Sequence, residues 1–359
     1  MPTFDIIKQT KPKKTFRVSS IIGRFDLLSE NVEERFSGNI ELPEKWQIGL
    51  IVGKSGTGKT TIAKQLFQEA YITNFDYVAD SILDDMPKEC SIEQITNAFN
   101  SVGFSSPPSW LKPYSVLSNG QKMRVDLARA ILEPNKFFVF DEFTSVVDRN
   151  VAQIGSFAMQ KAIRKTDKQF IAVSCHFDVQ DWLLPDWVFN TDTMTFQSFE
   201  GQKKNRPKIK FEIFQTSDKS IWKMFAKHHY LSHSHNNAAN VFVAFINDEL
   251  AGFLSVLHLP NIDKTIKKVH RLVILPDYQG AGFGIKFLNE IGKIYKREKW
   301  RFTIVTSSPS LINTLKRNSE WNCYHFGRTG GGNKLKVAEG NKSKRITASF
   351  ELKTTIKQP

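Results

Sequence analysis

The segment WQIGLIVGKSGTGKTTIAKQLFQ, Trp46 to Gln68, decides the fold of the first part of the chain. An apolar run bounded by glycine reads as a strand buried on both faces, and the apolar spacing after the glycines reads as a helix. Between them "GKSGTGKT", Gly53 to Thr60, fits G-x-x-x-x-G-K-[ST] in the strand–loop–helix setting that gives this spacing its meaning. Glycines there let backbone N–H groups approach an anion at a helix N-terminus. Gly53, Lys54, Ser55, Gly56, Thr57, Gly58, Lys59, Thr60 and Thr61 are therefore expected to cradle the phosphates of ATP. Lys59 is expected to reach the β and γ oxygens, and Thr60 to ligate Mg²⁺.

Working outward, further apolar runs follow: "KFFVFDE" and "QFIAVSCH" read as parallel strands, with helical patterns such as "QKMRVDLARAIL" between them, an α/β alternation. The basic stretch GQKKNRPKIK, Gly201 to Lys210, has neither helical nor strand period and is read as a linker between a domain at 1–200 and a domain at 211–359. Past it lie strand-like "KFEIFQ", a helix around "SIWKMFAKHHYL", a hairpin "NVFVAFINDELAGFLSVLHL" turning at Asn247-Asp248-Glu249, and further strands and helices, an α+β order. "GRTGGGNKLKVAEGNKSKR" reads as a glycine- and lysine-rich loop.

The net charge of +14 is unevenly shared. Residues 1–200 carry 22 Lys and Arg against 25 Asp and Glu, whereas residues 201–359 carry 28 against 11. A second half at +17 points to a polyanionic partner, nucleic acid first. Lys203, Lys204, Arg206, Lys208, Lys210, Lys334, Lys336, Lys342, Lys344 and Arg345 are candidate phosphate contacts. No apolar run is long enough to cross a membrane, and the N-terminus lacks a secretory pattern. Cys90, Cys175 and Cys323 are odd in number and scattered, as expected of a cytoplasmic protein without disulfides.

Four pieces after the first loop occur in a telling order. "VLSNGQKMRVDLARA" resembles the signature sequence of ABC-type ATPases, with Asn119 where a glycine is common. "FFVFDE" ends on Asp141 and Glu142, like a Walker B strand with its adjacent glutamate. "TSVVD", ending at Asp148, resembles the D-loop, and His176 matches the switch histidine. The resemblance implies that Asp141 holds Mg²⁺ with Thr60, that Glu142 polarises the attacking water, and that His176 stabilises γ-phosphate charge. It also implies that Ser118, Gly120, Gln121 and Asp148 face the ATP of a second subunit, hence a homodimer on ATP. The chain departs from the family in the short interval between Gly53 and Leu117 and in its Q-loop, for which Gln94, Asp84 and Asp85 are the candidates. Phe25 is a candidate adenine-stacking ring.

A second glycine loop, "VILPDYQGAGFG", Val273 to Gly284, lacks the Lys-Ser/Thr of the first. Gln279, Gly282 and Gly284 fit Q/R-x-x-G-x-G/A after a strand and before an amphipathic helix, which resembles the acetyl-CoA loop of GNAT acetyltransferases. The resemblance implies a pyrophosphate held by amides of Gln279, Gly280, Ala281, Gly282, Phe283 and Gly284. It implies a pantetheine beside Leu272, Val273 and Ile274, with the donor acetyl-CoA or another acyl-CoA. Tyr324 is a candidate general acid, and His270, Ser307 and Ser308 stand at strand ends nearby. The trio His228, His229 and Tyr230, read as the end of a helix, resembles a His-Tyr element of phage acyltransferases that modify DNA bases. His229 and His233 also raise a metal site, though no carboxylate or Cys accompanies them.

The expectation is an α/β P-loop ATPase domain of ABC type followed by an α+β GNAT-type acyltransferase domain. The expected activity joins ATP hydrolysis to acyl transfer onto nucleic acid, with a protein or small-molecule amine acceptor, or an inactive acyltransferase scaffold, as alternatives.

Overall fold

The structure, a computed structural model, describes residues 3–10, 13–26, 32–200, 202, 207–229, 234–259, 266–328 and 346–353. Tyr230, His233, Lys203, Lys204, Arg206, Lys334, Lys336, Lys342, Lys344 and Arg345 lie outside these residues. The chain divides into two compact units: Met1–Phe75, Glu133–Asp148 and Gln160–Arg206 form the first, and Asp76–Leu132, Arg149–Met159 and Pro207–Pro359 the second.

In chain order the elements begin with β1 (Thr3–Thr10), α1 (Phe16–Phe25), β2 (Val32–Asn39), β3 (Ile48–Val52), α2 (Lys59–Leu66) and β4 (Tyr71–Ile72). Then come α3 (Ile92–Ser101), α4 (Pro107–Trp110), α5 (Asn119–Leu132), β5 (Phe137–Phe140), α6 (Arg149–Ile163), β6 (Gln169–Ser174), α7 (Val179–Leu183), β7 (Trp187–Asn190) and β8 (Thr195–Ser198). The remainder is β9 (Phe211–Thr216), α8 (Trp222–Ala226), β10 (Asn240–Ile246), β11 (Glu249–Leu259), β12 (Ile266–Ile274), α9 (Phe283–Arg297), β13 (Arg301–Thr306), α10 (Pro309–Arg317), β14 (Trp321–Arg328) and β15 (Ile346–Leu352).

The first unit holds a six-stranded sheet in the order β4-β5-β6-β3-β7-β8, parallel except for β8. All five residues of β3 are buried, as its unbroken apolar run requires of a strand covered on both faces. One strand, β6, separates β3 from the acidic-ended β5, so the two ligand-bearing strand ends flank a common crevice. This is the parallel α/β core that the alternation of apolar runs and helical patterns leads one to expect. Beside it β1 and β2 form an antiparallel pair with Phe4 and Phe36 in the same apolar core. The helix after the first loop stops at Leu66, shorter than its apolar period suggests, because Tyr71 and Ile72 pair with β5 instead.

The second unit contains a seven-stranded sheet, β14-β15-β13-β12-β11-β10-β9, antiparallel except between β12 and β13. The β10–β11 hairpin turns where the sequence places it: Asn247 and Asp248 both take positive φ, 48° and 67°, the two-residue geometry that follows the twist of the strands. Helix α9 buries Phe283, Phe287, Leu288, Ile291 and Tyr295 along one stripe against this sheet.

The same unit includes α3 and α5, which pack on each other. Tyr77 and Tyr114 stack with centroids 3.9 Å apart, and both hydroxyls donate to Asp126 of α5 at 2.7 Å. Burial pushes the Asp126 carboxyl above its ordinary range. Past α3 the chain turns at Gly103, which meets Gly280 of the second glycine loop backbone to backbone. A Cβ on Gly103 would stand 2.5 Å from the Gln279 carbonyl oxygen, and one on Gly280 would stand 2.7 Å from the Gly103 Cα. Both residues have left-handed φ, 86° and 85°. A Gly103→Ala change is therefore expected to cost about 2–4 kcal/mol, from backbone strain together with overpacking. Urea unfolding of the purified variant checks this.

Candidate functional site

In the first unit, β3 delivers the loop and Gly58 starts α2. The first amides of α2 have no partner within the helix, so they face an anion by default. The loop is pinned from behind. The Lys54 N–H donates to Asp192 Oδ1 at 2.7 Å, and Thr57 Oγ1 and Thr191 Oγ1 share a hydrogen bond of 2.6 Å. Lys59 is buried, and its Nζ donates to the Lys54 carbonyl at 2.6 Å. That contact spans the loop mouth, so the ammonium sits where phosphate oxygens would compete for it.

Thr60 and Asp141 come together: Thr60 Oγ1 donates to Asp141 Oδ2 at 2.7 Å. Two oxygen donors so close suit a hard cation that keeps several waters, which fits Mg²⁺. Tyr71, which no motif flagged, donates its hydroxyl to the same Asp141 oxygen. Burial first, and then that bond, pushes the Tyr71 phenol up, so it stays a donor at any physiological pH. Glu142 follows in the left-handed region, φ 51°, with its N–H on Asp141 Oδ1 at 2.8 Å and its side chain exposed. His176 sits just past β6, its N–H on Ser174 Oγ at 3.1 Å. Phe25 ends α1, a helix that buries none of its side chains.

The signature segment opens α5 with a capping box. Ser118 Oγ accepts the Gln121 N–H at 3.4 Å, and Gln121 Oε1 accepts the Ser118 N–H at 3.1 Å. Ser118 and Asn119 are exposed at that helix start, as is Asp148 just before α6. The Q-loop candidates have structural work. Gln94 completes the capping box of α3 with Ser91, and Asp85 Oδ1 accepts the Val78 and Ala79 N–H groups.

In the second unit, β12 and β13 pair only from Ile266 to Lys268 against Arg301 to Thr303. Past Lys268 the two strands part, which leaves the β13-facing edge of β12 open through Leu272, Val273 and Ile274. A ligand chain bearing amides can pair there as an added strand does. Gly282, exposed, caps α9 with φ 97°, and the first amides of α9 have no partner within the helix. Gln279 does not face a ligand. Its Nε2 donates to the Ile274 carbonyl at 2.7 Å and its Oε1 accepts the Ser105 N–H at 2.9 Å. Gly280 packs on Gly103, and Phe283 is buried and stacked on Phe211 at 5.5 Å.

Arg124 of α5 holds this loop from beneath. It is 2% exposed; Nη1 donates to the Gly103 and Pro276 carbonyls at 2.7 and 2.5 Å, and Nη2 to the Asp277 carbonyl at 2.7 Å. Burial pushes the guanidinium down to about 10, so it is still a cation at neutral pH. The sequence carried one clue to this residue, an arginine inside the apolar stripe Met123, Val125, Leu127, Ala128.

Of the proposed acyl-transfer groups, Tyr324 is 53% exposed at a bulge in β14, between Cys323 and His325 in the register with β15. His229 is buried with its ring on Trp222 at 5.8 Å. His270 lies on β12, its Nε2 accepting the Asn236 N–H at 3.2 Å. Among the described residues no three His, Cys, Asp or Glu side chains gather as a metal site, and no helix is long and apolar enough to cross a membrane.

These features define an acyltransferase-type fold, and residues 207–309 match the model of the Acetyltransferase (GNAT) family. The similar solved structures include the Bacillus subtilis acetyltransferase in complex with CoA, at 14% identity over 40% of this chain and 98% of that one (TM-score 0.30). IAA acetyltransferase from Bacillus cereus gives 13%, 40%, 99% and 0.30. The ADP- and phosphate-bound dimer of the ATP-binding cassette MJ0796 gives 14%, 47%, 93% and 0.38. A comparison with curated proteins finds no match.

Arg124→Met would leave three carbonyls without their donor, two of them in the second glycine loop. The expected loss is about 3–5 kcal/mol of stability, with Arg124→Lys, which keeps the charge but not the fork, in between. Thermal unfolding of the two variants measures the order.

Proposed function

We propose that the chain is a bifunctional enzyme in which an ABC-type ATPase works with an acyl-CoA-dependent acyltransferase acting on nucleic acid. The observation that carries the acyltransferase half is the parting of β12 from β13 beside the exposed N-terminus of α9. An extended donor finds backbone partners along Leu272 to Ile274, and its pyrophosphate finds amides at Gly282 to Gly284.

On the ATPase side, Thr60 and Asp141 would hold Mg²⁺, which when bound neutralises phosphate charge and orders the terminal phosphoryl group. Lys59 exchanges the Lys54 carbonyl for phosphate oxygens. Tyr71 keeps one Asp141 oxygen oriented by donating to it. Glu142, whose turn aims its side chain outward, takes the proton of the attacking water, and His176 donates to the γ-phosphate. The exposed capping box at Ser118 to Gln121, with Asp148, supports completion of the site by a second copy of the chain on ATP. Arg124 supports coupling between the two activities, because it belongs to the signature helix and holds the acyl-CoA loop.

Nucleic acid is favoured as acceptor by the charge of residues 201–359. A groove of about 750 Å³ adds to this: Lys267, Lys286, Lys293 and Arg297 line it together with Phe211 and Trp300. Cations interleaved with rings suit a phosphate backbone with stacked bases. The clasp on Gln279 and Gly280 favours a second reading, in which the loop is a structural bearing and the acyltransferase fold no longer binds CoA.

Lys59→Ala is expected to lower ATP turnover at least about 100-fold while leaving acetyl-CoA stabilisation of the second unit in place. Gly282→Glu is expected to do the reverse. Mass spectrometry of nucleosides from cells expressing the wild type should show an acylated base that both variants lack. An acetyl-CoA thermal shift of zero in the wild type would favour the bearing instead.

A further inference from the structure

The second unit gathers three imidazoles and an indole on the face of the sheet opposite α9. His229 and His235 pack on Trp222 at 5.8 and 5.7 Å, and His235 lies 5.5 Å from both Phe253 and His270, centroid to centroid. Both ring nitrogens of His235 are buried, and neither has a hydrogen-bond partner. A neutral imidazole carries one donor and one acceptor, and each buried without a partner costs about 1–3 kcal/mol. Such a cost is kept where a bound group supplies the missing partner.

The position of the cluster says which group. Ser255 opposes Arg271 and Val256 opposes Val269, so His270 is the residue that a bulge in β12 leaves out of the ladder. It stands on the stretch of β12 that has already left β13. Bulges beside sites re-aim a side chain. The Asn236 N–H on Nε2 fixes the His270 proton on Nδ1 and holds the ring beside His235. Across the bulge, Ser255 Oγ is buried and without a partner as well.

We propose that His235, positioned by His270, takes the proton of the acyl acceptor. The inference rests on the reading that the opening between β12 and β13 holds an acyl-CoA. The acceptor atom attacks the thioester carbonyl, a bond from it to that carbon forms, and the C–S bond breaks with its electron pair on sulfur. The acceptor's proton goes to a His235 ring nitrogen and from there to the thiolate, so acceptor and thioester become acylated acceptor and free thiol with nothing else consumed. Among the described residues, the charged and titratable groups around the pair are Lys219, His229, Lys268 and Arg271, with no carboxylate. Burial and these cations lower both imidazoles, His270 to about 4. The sign follows: the neutral form is the base, so it is present at pH 6–8 and lost only as pH falls through the lowered value. An imidazolium formed there gives its proton up readily.

The test uses the full chain and acetyl-CoA, and reads free thiol released above the enzyme-free rate. With water as acceptor a proton must be removed, whereas hydroxylamine attacks without a base. His235→Gln is expected to slow the water reaction about 100-fold and the hydroxylamine reaction far less. The ratio of the two rates should thus drop at least about tenfold. The wild-type water reaction should stay level from pH 8 to 6, and His270→Gln should lower the same ratio less than His235→Gln does. In the wild type, the His235 ring signal in ¹H–¹³C NMR should shift on adding acetyl-CoA. An unchanged ratio, an acid limb near pH 6.5 or an unmoved ring signal overturns the role of His235 while acyl transfer stands. No thiol release with either nucleophile overturns the acyl-transfer reading and this inference with it.

Discussion

The second unit depends on one buried cation. Arg124 is surrounded by backbone, and its ends reach three carbonyls on two segments far apart in sequence, Gly103 on one side and Pro276 and Asp277 on the other. Taking a guanidinium out of water costs several kcal/mol, and charge-assisted bonds to carbonyls return about 1.5–3 kcal/mol each. The balance is close to even, and Arg124 Nε finds no partner at all. The charge itself is therefore a poor source of stability; its removal is costly because it strands three carbonyls, and what it supplies is their position. A hydrophobic residue of like volume could fill the space, but it could not tell the carbonyls of Pro276 and Asp277 where to stand.

The two glycine loops show how like sequences come to hold unlike groups. Around the first, a buried lysine, a threonine hydroxyl and a carboxylate converge, so charge is supplied for a triphosphate and its cation. Around the second the buried cation Arg124 binds carbonyls and not amides. The loop's polar contacts, Gln279 to Ile274 and Ser105 and the carbonyls to Arg124, are spent on holding the backbone itself. The start of α9 offers an anion a weaker field than the first loop does, one that would suit a pyrophosphate without a metal. An extended donor bound here would be recognised along the open edge of β12, by hydrogen bonds rather than charge.

Much of this was legible in the residues because it is local. The run Ile48 to Val52, the glycines after it and the acidic end of β5 each obey short-range rules, and so does the Asn247-Asp248 turn. The meeting of Thr60 with Asp141 was legible too, through a family pattern and not through spacing. What stayed hidden is non-local. Nothing near Gly103 or Gly280 says that they will touch, since each is an ordinary turn glycine on its own. Tyr71 reads as the end of a helix until β5 claims it as a strand partner. His235 lies in a run of histidines and serines where His229 and Tyr230 draw the eye, and the burial of its ring nitrogens is visible only in the fold.

The capping box at Ser118 and the guanidinium of Arg124 are six residues apart on one helix, about 9 Å of rise. Less than two turns of α5 therefore join the exposed helix start to the carbonyls of Pro276 and Asp277. Packed helices shift as bodies and not by stretching. A ligand that favours one position of the α5 N-terminus must favour the matching position of the loop leading into α9, and a ligand on that loop must favour the same position of α5. Linkage makes the effect equal in both directions. A ligand held at the Ser118 end of α5 and a ligand held at the loop leading into α9 would therefore share free energy through this one helix.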